Sequence, residues 1–291
     1  MSGLRDEFLA RRGEVEARHG ALLAGNPGGR MVTLALVVVS LAVYALGLVM
    51  LDLSPVRIWD GLGQLGVILS LMVPPSPGTH FALYLSALGQ TLAIAFFGTV
   101  LAAALALPFG FLAARNVMAN RVLHFLTRRG LDAVRTIDTL IWALIWINVV
   151  GLGPFAGALA IASSDCGALA KLMSEAIETA DRRPIEGVLA CGGSRFQAIR
   201  FGIVPQILPV YASQLLYFFE SNTRSATIIG IVGAGGIGLH LYEQIRVLDW
   251  QQAAFLILMV LVTVAAIDFV SQRLRAGIIG NRDLAALRRR Q

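Results

Sequence analysis

Long apolar segments, separated by polar and basic ones, dominate the amino-acid sequence. A membrane-spanning helix needs about 20 mostly apolar residues, because the hydrocarbon core of a bilayer is about 30 Å thick. The apolar segments predict six spans, of which the third is short, at residues 31–51, 84–114, 137–150, 155–172, 203–219 and 253–271. The connection 52–81 is rich in proline, and its apolar patch 65–73 is too short to cross a membrane. We therefore place this patch at the membrane interface and do not count it as a span.

The composition agrees with an all-α polytopic membrane protein. Hydrophobic residues make up 56% of the 291-residue chain and charged residues only 14%, whereas ordinary globular domains have about 25% charged residues. These values exclude a soluble enzyme, a disordered scaffold and a secreted disulfide-rich domain. The two cysteines, Cys166 and Cys191, provide neither a disulfide framework nor a metal cluster.

The distribution of basic residues predicts the orientation in the membrane. Most of them lie in the N-terminal segment, in the loops after the second and fourth spans, and in the tail, all on one side of the predicted topology. Only Arg57, Arg224 and Arg246 lie on the other side. Because short cytoplasmic loops carry an excess of Lys and Arg, we expect both termini to be cytoplasmic. The net charge of +6 then reflects topology and anionic lipids, not nucleic-acid binding.

The predicted organisation has four parts. Residues 1–30 form a cytoplasmic N-terminal segment, which fits an amphipathic helix on the membrane surface or, equally, a solvated tail. Residues 31–83 contain the first span and the extracytoplasmic connection. Residues 84–275 form the core, with a cytoplasmic loop at 173–202, and residues 276–291 form a basic cytoplasmic tail.

Sequence motifs for nucleotide, metal or nucleophilic chemistry do not occur in the chain. There is no phosphate-binding loop of the type G-x-x-x-x-G-K-[ST], so the chain alone is not expected to hydrolyse ATP. No zinc-protease or serine-hydrolase motif occurs, and no catalytic or metal-binding residue is predicted. A glycine-rich loop matches G-x-G-x-x-G but lacks the acidic residue that a dinucleotide site needs about 20 positions later. We interpret its glycines as permitting tight bends and close helix approach: Gly233, Gly235, Gly236 and Gly238.

The loop 173–202 has strong local helix signals. Asp181 is a good N-cap for a short amphipathic helix over residues 182–191, and Gly192 ends it. An S-x-x-Q capping box at Ser194 starts a second helix, which we expect Pro205 to interrupt. The arrangement of helix, glycine hinge and helix suits docking to a partner, although a solvated loop with good caps has the same pattern.

Several segments resemble known transport proteins. The sequence EGVLACG at residues 186–192 resembles the E-A-A-x-x-x-G loop of ABC importer permeases, with Gly187 and Val188 in place of the two alanines. Together with residues 88–99, 107–116, 150–157 and 220–238, it is similar to the phosphonate importer permease family, PhnE. The similarity covers about residues 84–275. The sequence SDCG at 164–167 departs from the uncharged small-residue stretch expected of that family.

The resemblance implies a type I ABC importer permease fold in a bacterial inner membrane. It also implies a homodimer that works with two ATP-binding subunits and an extracytoplasmic binding protein. ATP and Mg would bind to the partner subunits, and this chain would bind no cofactor. The expected cargo is phosphonate, with phosphate or phosphite as alternatives. A stand-alone channel and a membrane-embedded enzyme acting on lipid are the other functions considered.

Two sets of candidate residues follow. The ATPase-coupling loop contains Arg183, Glu186, Leu189, Ala190, Gly192, Ser194 and Arg195. The translocation pathway is predicted to contain ionisable and polar residues in or beside spans, because their burial there is costly: Asn148, Asp165, Glu220, Asn222, Arg224, Ser225 and Thr227. The guanidinium of Arg224 is suited to bidentate binding of an oxyanion, although local pairing with Glu220 at i, i+4 is equally compatible with the spacing.

Overall fold

The computed structural model describes residues 27–51, 54–118 and 120–288. Most of the predicted N-terminal segment 1–30, and the last three residues of the predicted tail, lie outside these ranges. All regular secondary structure in the described ranges is helical. The chain divides into two compact units, residues 1–67 and residues 68–291.

The first unit contains helix α1 (Pro27–Met50) and most of α2 (Pro55–Leu71). Helix α1 includes the predicted first span, and its apolar side chains are exposed. Helix α2 lies in the connection 52–81, where the sequence predicted no span, and it is not among the candidate spans of the described residues; the helix itself was not predicted. The missed signal is a serine followed by proline, because the backbone N–H of Arg57 donates to Oγ of Ser54 at 3.1 Å, and proline is favoured in a first helical turn.

The second unit contains the remaining helices. They are α3 (Phe81–Ala113), α4 (Arg121–Thr136), α5 (Thr139–Val150), α6 (Pro154–Glu178), α7 (Arg182–Ala190), α8 (Arg195–Gln197), α9 (Val204–Ile229), α10 (Ile237–Arg246) and α11 (Trp250–Arg288). Two π-helical turns, Ala198–Ile203 and Gly230–Ala234, precede and follow α9. Among the described residues, five helices are long and apolar enough to span a membrane, or six if α4 and α5, which meet at 90°, count as one broken span.

Small residues let α3 and α6 pack closely. A Cβ atom at Gly98 would lie 2.8 Å from Cβ of Ile161, and one at Gly110 would lie 2.9 Å from Cγ of Met173. Such small residues are typical of interfaces between membrane helices, where van der Waals packing replaces the hydrophobic effect. Two buried clusters, which include Leu169 and Ile161, contain residues of both α3 and α6, and a third, which includes Leu256, lies where α3, α10 and α11 meet.

Several helices extend beyond the predicted spans. Helix α6 continues to Glu178, and α11 continues through the predicted tail to Arg288. Pro205 does not interrupt its helix, because the π-helical turn Ala198–Ile203 lies directly before it and a wider turn tolerates the missing N–H. The predicted fifth span ended at residue 219, but α9 runs to Ile229. Its polar second half stays helical because the polar side chains find partners on neighbouring helices.

Candidate functional site

Local hydrogen bonds build the segment 181–203, which we call the α7 segment. Oδ1 of Asp181 accepts from the backbone N–H of Arg183 at 3.0 Å and caps α7. The backbone N–H of Gln197 donates to Oγ of Ser194 at 3.3 Å, and Oε1 of Gln197 accepts from the backbone N–H of Ser194 at 2.7 Å. Gly192 adopts a φ of +84° between the two helices. The predicted helix, glycine hinge and capping box are confirmed, with α7 one residue shorter than predicted.

The α7 segment is held firmly against the start of α9. Oε1 of Gln206 accepts from the backbone N–H of Asp181 at 2.9 Å, and Nε2 of Gln206 donates to the carbonyl oxygen of Asp181 at 3.0 Å. A Cβ atom at Gly202 would lie 3.0 Å from Cα of Ile185, so α7 and the π-helical turn are in close contact. Helix α7 is therefore tied to the start of α9 by hydrogen bonds and by close packing.

The outer face of the α7 segment is open to solvent. All seven predicted coupling residues lie in this segment, and each of them has an exposed side chain or, for Gly192, an exposed backbone: Arg183, Glu186, Leu189, Ala190, Gly192, Ser194 and Arg195. A groove of about 530 Å³ separates the segment from residues 115–118, which follow α3. Arg115 and Arg182 line this groove together with Glu186 and Arg195, and Phe196 is 71% exposed beside them. The sequence analysis did not name Arg115, Arg182 and Phe196 as candidates, although each lies in or next to a loop rich in basic residues.

A polar cluster joins three helices inside the bundle. Nδ2 of Asn222 on α9 donates to Oγ1 of Thr99 on α3 at 2.9 Å and to Oδ2 of Asp165 on α6 at 2.5 Å. Thr99 and Asn222 are buried, and Asp165 is half-buried. A buried polar group is costly unless it is hydrogen-bonded, so these bonds hold the three helices in register. We call Thr99, Asp165 and Asn222 the three-helix polar cluster.

A charge cluster lies between α9 and α11. Nη2 of Arg275 donates to Oε2 of Glu220 at 2.5 Å, whereas Nη1 of Arg224 lies 4.0 Å from Oε1 of Glu220 and 3.9 Å from Oδ1 of Asp268. Glu220 therefore pairs most closely with Arg275, and the predicted i, i+4 pair is the longer contact. The side chain of Arg224 is 49% exposed, whereas that of Glu220 is 12% exposed. Sequence reasoning missed Asp268 and Arg275, although Asp268 is an acidic residue within the predicted sixth span.

The other pathway candidates are dispersed. Asn148 is exposed on α5, and its Nδ2 donates to the carbonyl oxygen of Leu144 at 2.8 Å. Oγ1 of Thr227 donates to the carbonyl oxygen of Thr223 at 3.2 Å, and Ser225 is half-buried on α9. The structure thus brings Asp165 together with Asn222, and Glu220 together with Arg224. Among the described residues, no hydrogen bond joins the side chain of Asn148 to either pair.

The glycine-rich loop joins the start of α6 to the turn between α9 and α10. Gly233, Gly235 and Gly236 have φ values of +104°, +79° and +75°, which L side chains rarely adopt. The backbone N–H of Gly153 donates to the carbonyl oxygen of Gly233 at 3.1 Å. A Cβ atom at Gly238 would clash with the carbonyl oxygen of Thr227. These glycines are required by the bend and by close backbone approach, which is the structural role inferred from the sequence. Within the described ranges, no group of three His, Cys, Asp or Glu side chains is arranged to hold a metal ion.

Comparisons with known proteins agree on the family. The family model for the "binding-protein-dependent transport system inner membrane component" matches residues 106–279. The chain is 36% identical over 231 residues to the phosphate-import permease protein PhnE of Mycolicibacterium smegmatis, covering 79% of this chain and 43% of that protein. It is 32% identical over 238 residues to the phosphite transport system permease protein PtxC of Stutzerimonas stutzeri, covering 82% of this chain and 85% of that protein.

A solved structure has the same fold. The inward-facing MetNI methionine ABC transporter aligns with a TM-score of 0.62 at 20% identity, over 70% of this chain and 99% of the matched chain. The prediction of an all-α membrane protein with a type I ABC importer permease fold is therefore confirmed.

Proposed function

The chain belongs to the inner membrane components of binding-protein-dependent transport systems, and we propose that it is the permease subunit through which an ATP-driven importer moves a phosphorus oxyanion into the cell. The cargo we favour is phosphonate, with phosphite and phosphate as alternatives. The class of cargo, a phosphorus oxyanion, is supported by the relatives named for phosphate and phosphite transport. It is also supported by Arg224, whose guanidinium suits a tetrahedral oxyanion.

The observation that carries the proposal is the α7 segment. It presents a short capped helix with exposed charged residues, fixed by Gln206 to the start of α9. A permease without an ATPase motif must take its energy from a partner, and a short amphipathic helix is suited to a groove on that partner. We propose that α7 docks in a cleft of an ATP-binding subunit, with Glu186 and Gly192 as the key residues.

The proposed mechanism is alternating access. ATP binding at the partner subunits draws two copies of α7 together, and α9 transmits this motion into the bundle. In the proposed pathway Arg224 is available to bind the oxyanion, because its contacts to Glu220 and Asp268, near 4 Å, are too long for strong hydrogen bonds. The carboxylates of Asp165 and Glu220 repel an anion, so the proposed pathway binds the cargo weakly and releases it rapidly.

The proposed assembly contains two copies of this chain, two ATP-binding subunits and one extracytoplasmic binding protein. Mg and ATP are bound by the ATP-binding subunits. In this proposal both termini and the α7 segment are cytoplasmic, because the basic residues concentrate on that side. The glycine-rich loop then lies on the opposite side, where the binding protein delivers the cargo.

Purification and reconstitution test the proposal. The tagged chain is purified from membranes of its own host, and copurification of an ATP-binding subunit in equal amount is measured. We expect Glu186→Arg to abolish the association, while the control Glu243→Arg, an exposed acidic residue on α10, leaves it intact. In proteoliposomes, binding protein loaded with phosphonate, phosphite or phosphate should stimulate ATP hydrolysis to different extents.

Two results would favour the competing functions. Ion flux through the chain without any ATP-binding subunit would indicate a channel, and turnover of lipid by the isolated chain would indicate an enzyme. Stimulation by a cargo without phosphorus, and by none of the three oxyanions, would contradict the proposed substrate class but not the proposed coupling.

A further inference from the structure

Helix α4 has an apolar stripe that nothing in the described structure covers. Val122, Leu123 and Leu126 are 67%, 42% and 59% exposed. Most of the charged residues of α4, among them Arg128 and Asp132, lie on the other side of the helix, because successive residues are about 100° apart. We call Val122, Leu123 and Leu126 the α4 apolar stripe. Such a helix is too strongly charged for the hydrocarbon core and too apolar on one side for water.

The orientation of α4 matches that of a helix in the plane of the membrane surface. It makes an angle of 90° with α5, and α5 packs along α6, a candidate span. Helix α4 crosses α6 at Gly167, where a Cβ atom would lie 2.7 Å from the carbonyl oxygen of Leu131. This crossing lies about 20 Å along α6 from its start at Pro154, at a rise of about 1.5 Å per residue. The span predicted for α6 ends at residue 172, five residues beyond the crossing, so α4 lies toward the carboxyl end of that span.

The contacts of Arg128 fix which side of α4 faces the membrane centre. Its Nη2 donates to Oε1 of Glu178 at 3.1 Å, so the charged side points toward the carboxyl end of α6. Leu123 and Leu126 lie on the opposite side of the helix from Arg128, since they are five and two residues away, which corresponds to angles of about 140° and about 200°. The apolar stripe therefore faces inward along the membrane normal, as expected of an interfacial amphipathic helix.

A basic pocket lies beside this helix. Its volume is about 130 Å³, and its charged lining residues are Arg128, Arg129, Asp132 and Lys171. Asp132 lies 3.7 Å from Arg129 and 3.8 Å from Lys171, and it also pairs with Arg135 at 3.4 Å. With Glu178 on Arg128, two carboxylates serve four cations, so positive charge is in excess. Nε of Arg128 is buried and has no hydrogen-bond partner within the described ranges.

We propose that α4 is an interfacial helix that binds an anionic phospholipid. The acyl chains cover the α4 apolar stripe, and the phosphodiester lies in the basic pocket against Arg129 and Lys171. A lipid fits better than a second copy of the chain, because the pocket places excess positive charge next to an apolar surface, as a phosphodiester with acyl chains requires. This inference does not depend on which cargo is transported, and it needs only the membrane placement of α6.

Spin-label accessibility tests the position of α4 in the membrane. In the complete transporter in lipid nanodiscs, Leu126→Cys and the control Arg121→Cys are labelled in a Cys191→Ser background, since Cys166 is buried. We expect the label at 126 to collide mainly with oxygen and the label at 121 mainly with a water-soluble nickel chelate. Nickel access at 126 would contradict the proposal, and so would exclusion of both reagents there, which would indicate protein contact.

Lipid retention tests the basic pocket. The transporter is exchanged between nanodiscs of phosphatidylcholine alone and nanodiscs containing phosphatidylglycerol, and bound lipid is counted by native mass spectrometry. We expect Arg129→Gln and Lys171→Gln each to lower phosphatidylglycerol retention about fivefold, the attraction of one basic residue to an anionic surface. The control Arg246→Gln changes an exposed residue at the end of α10 and should leave phosphatidylglycerol retention unchanged.

Two results would overturn the lipid assignment. Equal retention of phosphatidylcholine and phosphatidylglycerol by the unsubstituted transporter would show that the pocket does not select a lipid by its negative charge. Displacement of the bound lipid by millimolar inorganic phosphate would identify the pocket as a site for the free anion. Unchanged elution volume and melting temperature of the two variants establish that they are folded, since both side chains are at least one-third exposed.

Discussion

The α7 segment and the three-helix polar cluster are built in opposite ways. Hydrogen bonds between residues that are near in sequence form the α7 segment, and most of its side chains are exposed. Bonds between residues far apart in sequence form the polar cluster, two of whose three side chains are buried. A surface of the first kind can change its side chains without loss of fold, whereas a change in a cluster of the second kind is expected to cost stability. Substitutions should separate the two roles.

The largest loss of stability is expected at the glycine-rich loop, where two backbone segments are in close contact. In Gly238→Ala the new Cβ atom would clash with the carbonyl oxygen of Thr227. We expect a loss of about 3 kcal/mol in the free energy of unfolding, the upper range for overpacking. The control Gly187→Ala adds a Cβ atom in open space on α7 and should change stability by less than about 0.5 kcal/mol. Melting in detergent measures both; equal losses would contradict the packing shown by the structure.

The next largest effect is expected in the three-helix polar cluster. Asn222→Leu removes the donor to Asp165 and Thr99 and should cost about 2 kcal/mol, because a buried or half-buried acceptor loses its partner. The double variant Asp165→Leu with Asn222→Leu should lose less than the sum of the single losses. Thermal unfolding of the four proteins gives the coupling energy. Additive losses would mean that these side chains do not hold the helices together.

The two arginines of the charge cluster should behave differently. Arg275→Gln leaves the carboxylate of Glu220, whose side chain is 12% exposed, without its close partner and should cost about 1.5 kcal/mol. Arg224→Gln removes only long contacts of a half-exposed side chain and should cost less than about 0.5 kcal/mol. We expect Arg224→Gln, despite this small cost, to reduce oxyanion uptake into proteoliposomes. Normal uptake by this variant would exclude Arg224 from the pathway.

A local effect on stability is expected in the α7 segment. Ser194→Ala removes one half of the capping box and should destabilise the start of α8 by about 1 kcal/mol. Hydrogen exchange should increase at residues 195–198 and stay unchanged at α3 and α6. The conservative variant Ser194→Asp should restore protection, since aspartate also accepts a hydrogen bond at an N-cap. Faster exchange throughout the bundle would show that the segment is part of the core.

The same contrast explains which features the sequence could predict. The caps at Asp181 and Ser194 act over two or three residues, so the sequence determines the α7 segment almost by itself. The pairing of Glu220 was predicted with Arg224, its neighbour at i, i+4, but Arg275 lies 55 positions away and comes close only through the packing of α11 on α9. The sequence also did not predict that α9 continues through Glu220–Thr227. The spans were predicted from apolar segments, whereas these residues are polar and depend on partners from other helices. The 90° turn from α4 to α5 has no local signal beyond Asp138, which caps α5.

The most direct test of the central claim uses a cysteine that the chain already contains. Cys191 directly follows α7 and is exposed, whereas Cys166 is buried. A short photoreactive reagent attached to Cys191 in the purified complex is activated with and without nucleotide, and the cross-linked partner is identified by mass spectrometry. If α7 docks on the ATP-binding subunit, that subunit is the main protein cross-linked to Cys191, and the cross-link is lost in Glu186→Arg. A complex that stays intact but gives no cross-link from Cys191 to the ATP-binding subunit would contradict the account.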